Sequence, residues 1–147
     1  MASVSGQIAL AASPERVWKQ VTDPRQLVRW WPKVVRVELD GDGAFTEVLT
    51  TDKGRDLRAD FVIAESHPPH RWRFVQELDE TPFAAVLRES QTTVELRPGG
   101  SGTNLSITLQ RKPRGLGRLG GPMMRRAAKA QLNQALNRLG EIHGTFD

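Results

Sequence analysis

The chain has 147 residues, 26% charged and 38% hydrophobic, with a formal net charge of +4 at pH 7. That length suits one domain, residues 1–147, able to bury a full core without covalent staples. The absence of cysteine excludes disulfide scaffolds, thiolate nucleophiles and cysteine-ligated zinc together.

Residues 4–11 read as a short strand. Its Ile8–Ala12 portion is the longest apolar run, far too short to span a bilayer, and no basic segment precedes it as in a signal peptide. The expected location is therefore cytoplasmic. Ser13 is an N-cap, Pro14 fits the first helical position and Glu15 suits the positive end of the helix dipole. Val17, Trp18 and Val21 mark the inner side of this helix. Asp23-Pro24 repeats the start signal, and Pro32 closes a second short helix after Trp30-Trp31.

From Val34 the apolar period changes to two. Val35, Val37 and Leu39 alternate with Arg36 and Glu38 before the turn Asp40–Gly43. A strand over 44–52 precedes a turn at Asp52-Lys53-Gly54, after which Leu57, Ala59, Phe61 and Ile63 share one face. His67-Pro68-Pro69-His70 breaks the ladder, and Trp72, Phe74 and Leu78 resume it. Residues 85–96 form a further strand, 98–102 a turn, and Leu105, Ile107 and Leu109 the inner face of the last strand. Short turns throughout make antiparallel pairing the economical arrangement.

The last third reads as one long helix. Leu119, Met123, Met124, Ala127, Ala128, Gln131, Leu132, Ala135, Leu136, Leu139 and Ile142 fall at spacings of three and four, a broad stripe opposite Arg125, Arg126, Lys129 and Arg138. Leu119 to Ile142 makes a rod of roughly 35 Å, which the strands must cover. Gly115-Leu-Gly117-Arg-Leu-Gly120 matches G-x-G-x-x-G, but no second parallel strand follows to build a dinucleotide site. With Arg114 and Arg118, this approach to the helix retains a weaker reading as an anion or phosphate holder.

Charge is unevenly spread. Between Arg111 and Gly140 there are eight basic residues and no acidic ones, leaving 13 basic against 17 acidic elsewhere. A cationic end on an anionic body suits an anionic membrane or RNA; the plainer reading is a solvated helix face. The run has no aromatic stacking platform, which favours the plainer reading, and DNA is not expected as a partner.

The order β-α-α-β-β-β-β-β-β-α carries further landmarks. They are Ser13-Pro14-Glu15-Arg16-Val17-Trp18, Thr22-Asp23-Pro24, Arg29-Trp30-Trp31-Pro32 leading into Val34–Glu38, and the long final helix. With them the chain resembles the START-like helix-grip superfamily (SRPBCC), within it the polyketide cyclase/dehydrase-like branch. The resemblance covers nearly the whole chain and implies an α+β helix-grip fold. In that fold a curved seven-stranded antiparallel sheet wraps a long C-terminal helix, with two short helices after the first strand. It also implies a pocket for an apolar or aromatic small molecule. Ligand carriers, cyclases, lipid-transfer domains and quinone binders share the fold, so it does not choose among them.

Strand parity turns Phe61, Trp72 and Phe74 toward that pocket, with Gln76, Arg88, Ser90 and Thr92 as polar positions of the same parity. A buried Arg88 needs a carboxylate such as Glu47 or a ligand acid; a bulge that flips the parity instead leaves Arg88 in water and Leu87 inside. Trp30 and Trp31 sit beside the expected mouth, and Met123, Met124 and Ala127 form an adaptable helical lid. Glu47 and Arg88 are the candidates for acid–base work. His67 and His70 flank prolines in a turn and lack further ligands nearby, so neither metal nor cofactor is expected. The leading expectation is a binder of a small hydrophobic or aromatic ligand, lipid or polyketide-like, acting as monomer or homodimer. A cyclase/dehydratase-type enzyme using the same cavity is the alternative, and membrane or RNA contact through residues 111–138 a second one.

Overall fold

In the computed structural model, which describes residues 2–114 and 121–145, the start signals read from the sequence act as helix caps. Ser13 Oγ accepts from Arg16 N at 3.3 Å, with Pro14 opening α1 (Pro14–Val21). Asp23 Oδ1 accepts from Arg25 N at 3.1 Å over a 3-10 turn, Pro24–Gln26, which runs into the single turn of α2 (Leu27–Trp30). Helices this short are marginal alone. Burial of Val17, Val21, Leu27 and Trp30 fixes this corner against the core.

Seven strands follow the predicted turns: β1 (Ala2–Leu10), β2 (Val34–Leu39), β3 (Ala44–Thr50), β4 (Asp56–His67), β5 (Arg71–Glu77), β6 (Leu87–Gly99) and β7 (Gly102–Pro113). They form one antiparallel sheet in the order β1-β7-β6-β5-β4-β3-β2. Consecutive strands from β2 to β7 are neighbours, so only β1 crosses over, and it closes the sheet against β7. The period-two reading sorts the faces correctly across the middle: Trp72, Phe74, Val94, Leu96, Leu105, Ile107 and Leu109 are all buried. Phe45 adds to them, stacked on Phe61 at 5.2 Å between ring centroids and edge-on to Phe74 at 5.5 Å.

The final helix, α3 (Gly121–His143), lies across the sheet and packs chiefly on β1. Its predicted stripe is corrected at both ends. Burial begins at Ala128 and continues through Leu132, Ala135, Leu136 and Leu139, whereas Met123, Ala127 and Ile142 are exposed. The physical reason is that the first turns of α3 face a cavity and not packed strand, with Met124 and Gln131 turned to it and Met123 and Ala127 on the outer side. Leu119 and the glycine motif 115–120 lie outside the described residues. No described helix is long and apolar enough to cross a membrane.

Two further expectations are corrected at strand irregularities. A register shift between Val34 and Arg36 turns Val35 outward, and Leu39 near the end of edge strand β2 is also exposed. A register shift between Leu87 and Glu89 buries Leu87 and turns Arg88 to solvent.

Close approach of α3 to β1 depends on Gly6. A Cβ there would lie 2.7 Å from Leu136 Cδ1 and 3.2 Å from Leu132 Cδ2. Gly6→Val should therefore destabilise the fold by about 1–3 kcal/mol, the usual cost of overpacking, read as a fall in the denaturant midpoint. An unchanged midpoint would mean that the helix rides freely over β1.

Candidate functional site

Between the concave sheet face and the first turns of α3 lies a cavity of about 390 Å³, the size class of small-molecule sites. Leu49, Leu57, Ala59, Phe61, Phe74 and Leu87 supply most of its apolar wall. Trp31-Pro32-Lys33, the β3–β4 turn, Phe83, Val86 and Met124 also line it. Lys33 and Asp52 meet at 3.2 Å in an exposed ion pair at the rim, worth little energetically.

Two ionisable groups face this space from strands near opposite ends of the sheet order. Glu47 is on β3, opposite Ala59 of β4 and Val37 of β2, and is only 3% exposed. Arg111 is on β7, opposite Ser90 of β6, on the parity of Leu105, Ile107 and Leu109. Its Nη2 donates to Oε1 of Gln131, on α3, at 3.0 Å. No ion pair within 4.0 Å joins Arg111 to Glu47, and none of the side-chain hydrogen bonds among the described residues ends on the Glu47 carboxyl.

Burial decides the state of the carboxyl. Loss of hydration pushes the Glu47 pKa up to about 8, overriding the attraction of Arg111, which acts to lower it. Burial likewise lowers the Arg111 pKa, against the opposing pull of Glu47. An arginine nevertheless stays protonated in proteins. At neutral pH the cavity therefore contains a cationic fork beside a mostly protonated, hydrogen-bond-donating acid. Ser90, Thr92, Gln76 and Gln131 complete its polar lining. This arrangement is rich in donors and suits a ligand that brings acceptor oxygens, particularly an anionic or enolic one.

Of the residues selected from the sequence, Glu47, Trp31, Phe61, Phe74, Gln76, Ser90, Thr92 and Met124 line the cavity. Five do not. Trp30 and Trp72 are fully buried in the core: Trp30 meets Trp31 edge-on at 5.8 Å, and Trp72 packs on Phe74 at 4.7 Å. Met123 and Ala127 lie on the outer side of α3, because the helix turns only Met124 and Gln131 inward here. Arg88 is outside through the bulge. His67 and His70 are exposed, His67 closing β4 and His70 in the turn that follows.

Sequence reasoning missed Arg111, Gln131 and Phe83. A signal for Arg111 was present: the alternation of Leu105, Ile107 and Leu109 continues to it without a break. It was instead grouped with a basic run. Gln131 was read as a member of the apolar stripe, and the 3-10 turn Pro82–Ala85 that positions Phe83 has no strong period.

Arg88→Ala should leave both stability and cavity binding unchanged, within about 0.5 kcal/mol, because its side chain is in water. Thermal melting and ligand retention measured together check this, and a selective loss of retention would put Arg88 back at the site.

A family model described as polyketide cyclase / dehydrase and lipid transport matches residues 1–143. No curated protein matches the sequence. Among solved structures, protein CV1439 from Chromobacterium violaceum is 22% identical, with 99% of each chain covered and a TM-score of 0.76. A START superfamily protein from Mycobacterium smegmatis is 15% identical, with 96% of each chain covered and a TM-score of 0.76. The di-domain ARO/CYC protein StfQ, from the steffimycin biosynthetic pathway, is 15% identical with a TM-score of 0.79, over 97% of this chain and 50% of that one. At these identities the likeness is one of fold.

Proposed function

The chain belongs to the polyketide cyclase/dehydrase and lipid transport family, and from that premise we propose that residues 1–147 act as one START-like domain holding a largely apolar, acid-bearing small molecule. The observation that carries this reading is the presence of two ionisable groups largely withdrawn from water, Arg111 and Glu47, lining one largely apolar cavity without an ion pair between them. Apolar walls favour a hydrophobic or aromatic body. The guanidinium selects a carboxylate, phenolate or enolate oxygen, and the carboxyl of Glu47 donates to a second oxygen. A simple hydrocarbon would leave both groups desolvated and unmatched, at a cost that disfavours it.

Native mass spectrometry of the purified protein, followed by organic extraction, tests the reading. A discrete bound mass whose extracted species carries an acidic oxygen is expected. Recovery of only neutral hydrocarbon-like species would overturn the role given to Arg111.

A second reading rests on one observation, that a carboxyl protonated near neutrality can give a proton and, once ionised, take one. Beside a cation that stabilises an enolate, this supports loss of water from the same class of ligand, with or without ring closure. The two readings separate in Glu47→Gln protein. If the cavity dehydrates its ligand, this variant copurifies with a species heavier by one water. If the cavity only binds, wild type and variant carry the same mass.

A further inference from the structure

We propose that the mouth of this cavity docks on an anionic lipid bilayer, with Met123 entering the lipid and the cations of the adjoining segment meeting the headgroups. The proposal rests on the cavity reading above and names where the apolar ligand is exchanged.

Three observations converge on this surface. First, the apolar groups nearest the mouth are left in water: Met123 is 76% exposed and Val86, itself part of the cavity lining, 50% exposed. Both lie close to the opening, since Met124 beside Met123 lines the cavity and Val86 follows the turn that carries Phe83. Second, cations adjoin them. Arg114 donates its backbone N–H to Val86 O at 3.0 Å, which seats this exposed residue directly beside that rim. Arg125 and Arg126 follow Met124 and are exposed, whereas Lys129 is held on β1 by Ser5 O at 2.8 Å and Lys112 is opposite Glu89. Third, no acidic residue interrupts the sequence from Arg111 to Gly140.

An apolar tip flanked by Arg114, Arg125 and Arg126, with the rim carboxylate Asp52 already paired to Lys33, is complementary to an anionic interface, where apolar side chains enter the acyl boundary and cations remain at the headgroups. Nucleic acid fits the same surface less well. Residues 111–138 contain no aromatic side chain to stack on bases, and an exposed methionine gains nothing from phosphate. Val86 and Met124 both line the cavity, so on a docked surface an apolar ligand passing by them would enter the membrane without crossing water.

Sedimentation with vesicles tests this, using phosphatidylcholine alone or mixed with phosphatidylglycerol. Wild-type protein should bind the mixed vesicles and not the neutral ones, with binding that falls as salt is raised. Met123→Asp should weaken binding about tenfold through lost insertion, and Arg125→Ala with Arg126→Ala by about tenfold through lost charge. Because all three residues are exposed, the variants should melt as wild type does.

The same preparations are examined by native mass spectrometry. Arg111→Met should still sediment while losing its cavity ligand, so the two proposals fail separately. No binding to anionic vesicles, or binding indifferent to Met123→Asp, overturns docking even if the cavity ligand is retained. Single-stranded RNA is titrated in parallel. Tight RNA binding in place of vesicle binding would also overturn it and assign the basic segment to nucleic acid.

Discussion

Arg111→Met is expected to empty the cavity without unfolding the protein. A hydrogen-bonded charge in a desolvated site is worth about 1.5–3 kcal/mol, so retention of an acidic ligand should fall roughly ten- to a hundredfold. Stability should move the other way or hardly at all. The guanidinium is largely withdrawn from water, its partner Gln131 is neutral, and no carboxylate among the described residues lies within 4.0 Å. Replacing such a charge by an apolar side chain of similar length is often neutral or stabilising. Methionine preserves the packing of the stem while removing the cost of burying the fork. Arg111→Lys separates charge from shape: it keeps the cation but loses the planar fork, and should retain ligand at an intermediate level. Ligand occupancy by native mass spectrometry and melting temperature are the two readouts. Undiminished occupancy in Arg111→Met would sink the anion-binding role, whereas a collapse in melting temperature would recast Arg111 as a structural strut.

The contrast between Arg88 and Arg111 explains which parts of this protein could be read in advance. The strand plan was legible because glycine-, proline- and aspartate-rich turns delimit every hairpin and because period two needs no partner strand to be seen. The side on which Arg88 emerges depends on a one-residue irregularity opposite β7, and that belongs to the pairing of two strands. Arg111 was obscured differently. Charge counted along the chain merges it with Lys112 and Arg114, while the sheet sorts residues by parity and places alternate neighbours on opposite faces. The tryptophans show the same limit at the corner. Trp30 and Trp31 are adjacent and chemically identical, and only packing against the sheet decides that Trp31 reaches the cavity. Along α3, spacing identified a helix. The cavity beneath its first turns determined that burial starts at Ala128.

Stability should fall as pH rises across the interval from about 4.5 to about 8, and Glu47 is the cause. Below the lower limit its carboxyl is protonated in both folded and unfolded chains and contributes no pH dependence. Between the limits the unfolded chain releases the proton into water while the folded chain keeps it, so the folded state binds more protons and the slope is negative. Above about 8 both states are ionised and the slope from this group vanishes. Integrated over the interval, the loss is on the order of a few kcal/mol, large against the total stability of a small domain.

The other shifted carboxylates and His143 have the opposite sign. Glu38, held down to about 2 by hydrogen bonds from Arg58 and Arg36, and Glu65, lowered by Arg71 and Arg73, make stability rise with pH, but below the Glu47 interval. His143, lowered by burial and then by Arg16, makes stability fall as pH drops below about 6.5, and so partly masks the Glu47 slope. Glu47→Gln separates these contributions, since the amide has no proton to lose and preserves the shape of the site. Urea unfolding at closely spaced pH values should show the negative slope in wild type, with the variant flat or rising over the same interval. The variant should also be the more stable protein above pH 8, where wild type must keep an ionised carboxylate in an apolar wall. Identical slopes in the two proteins would mean that Glu47 ionises in the cavity as readily as in water. In that case the site would face its ligand as a near-neutral ion pair with Arg111, and the preference for an acidic oxygen would lose its basis.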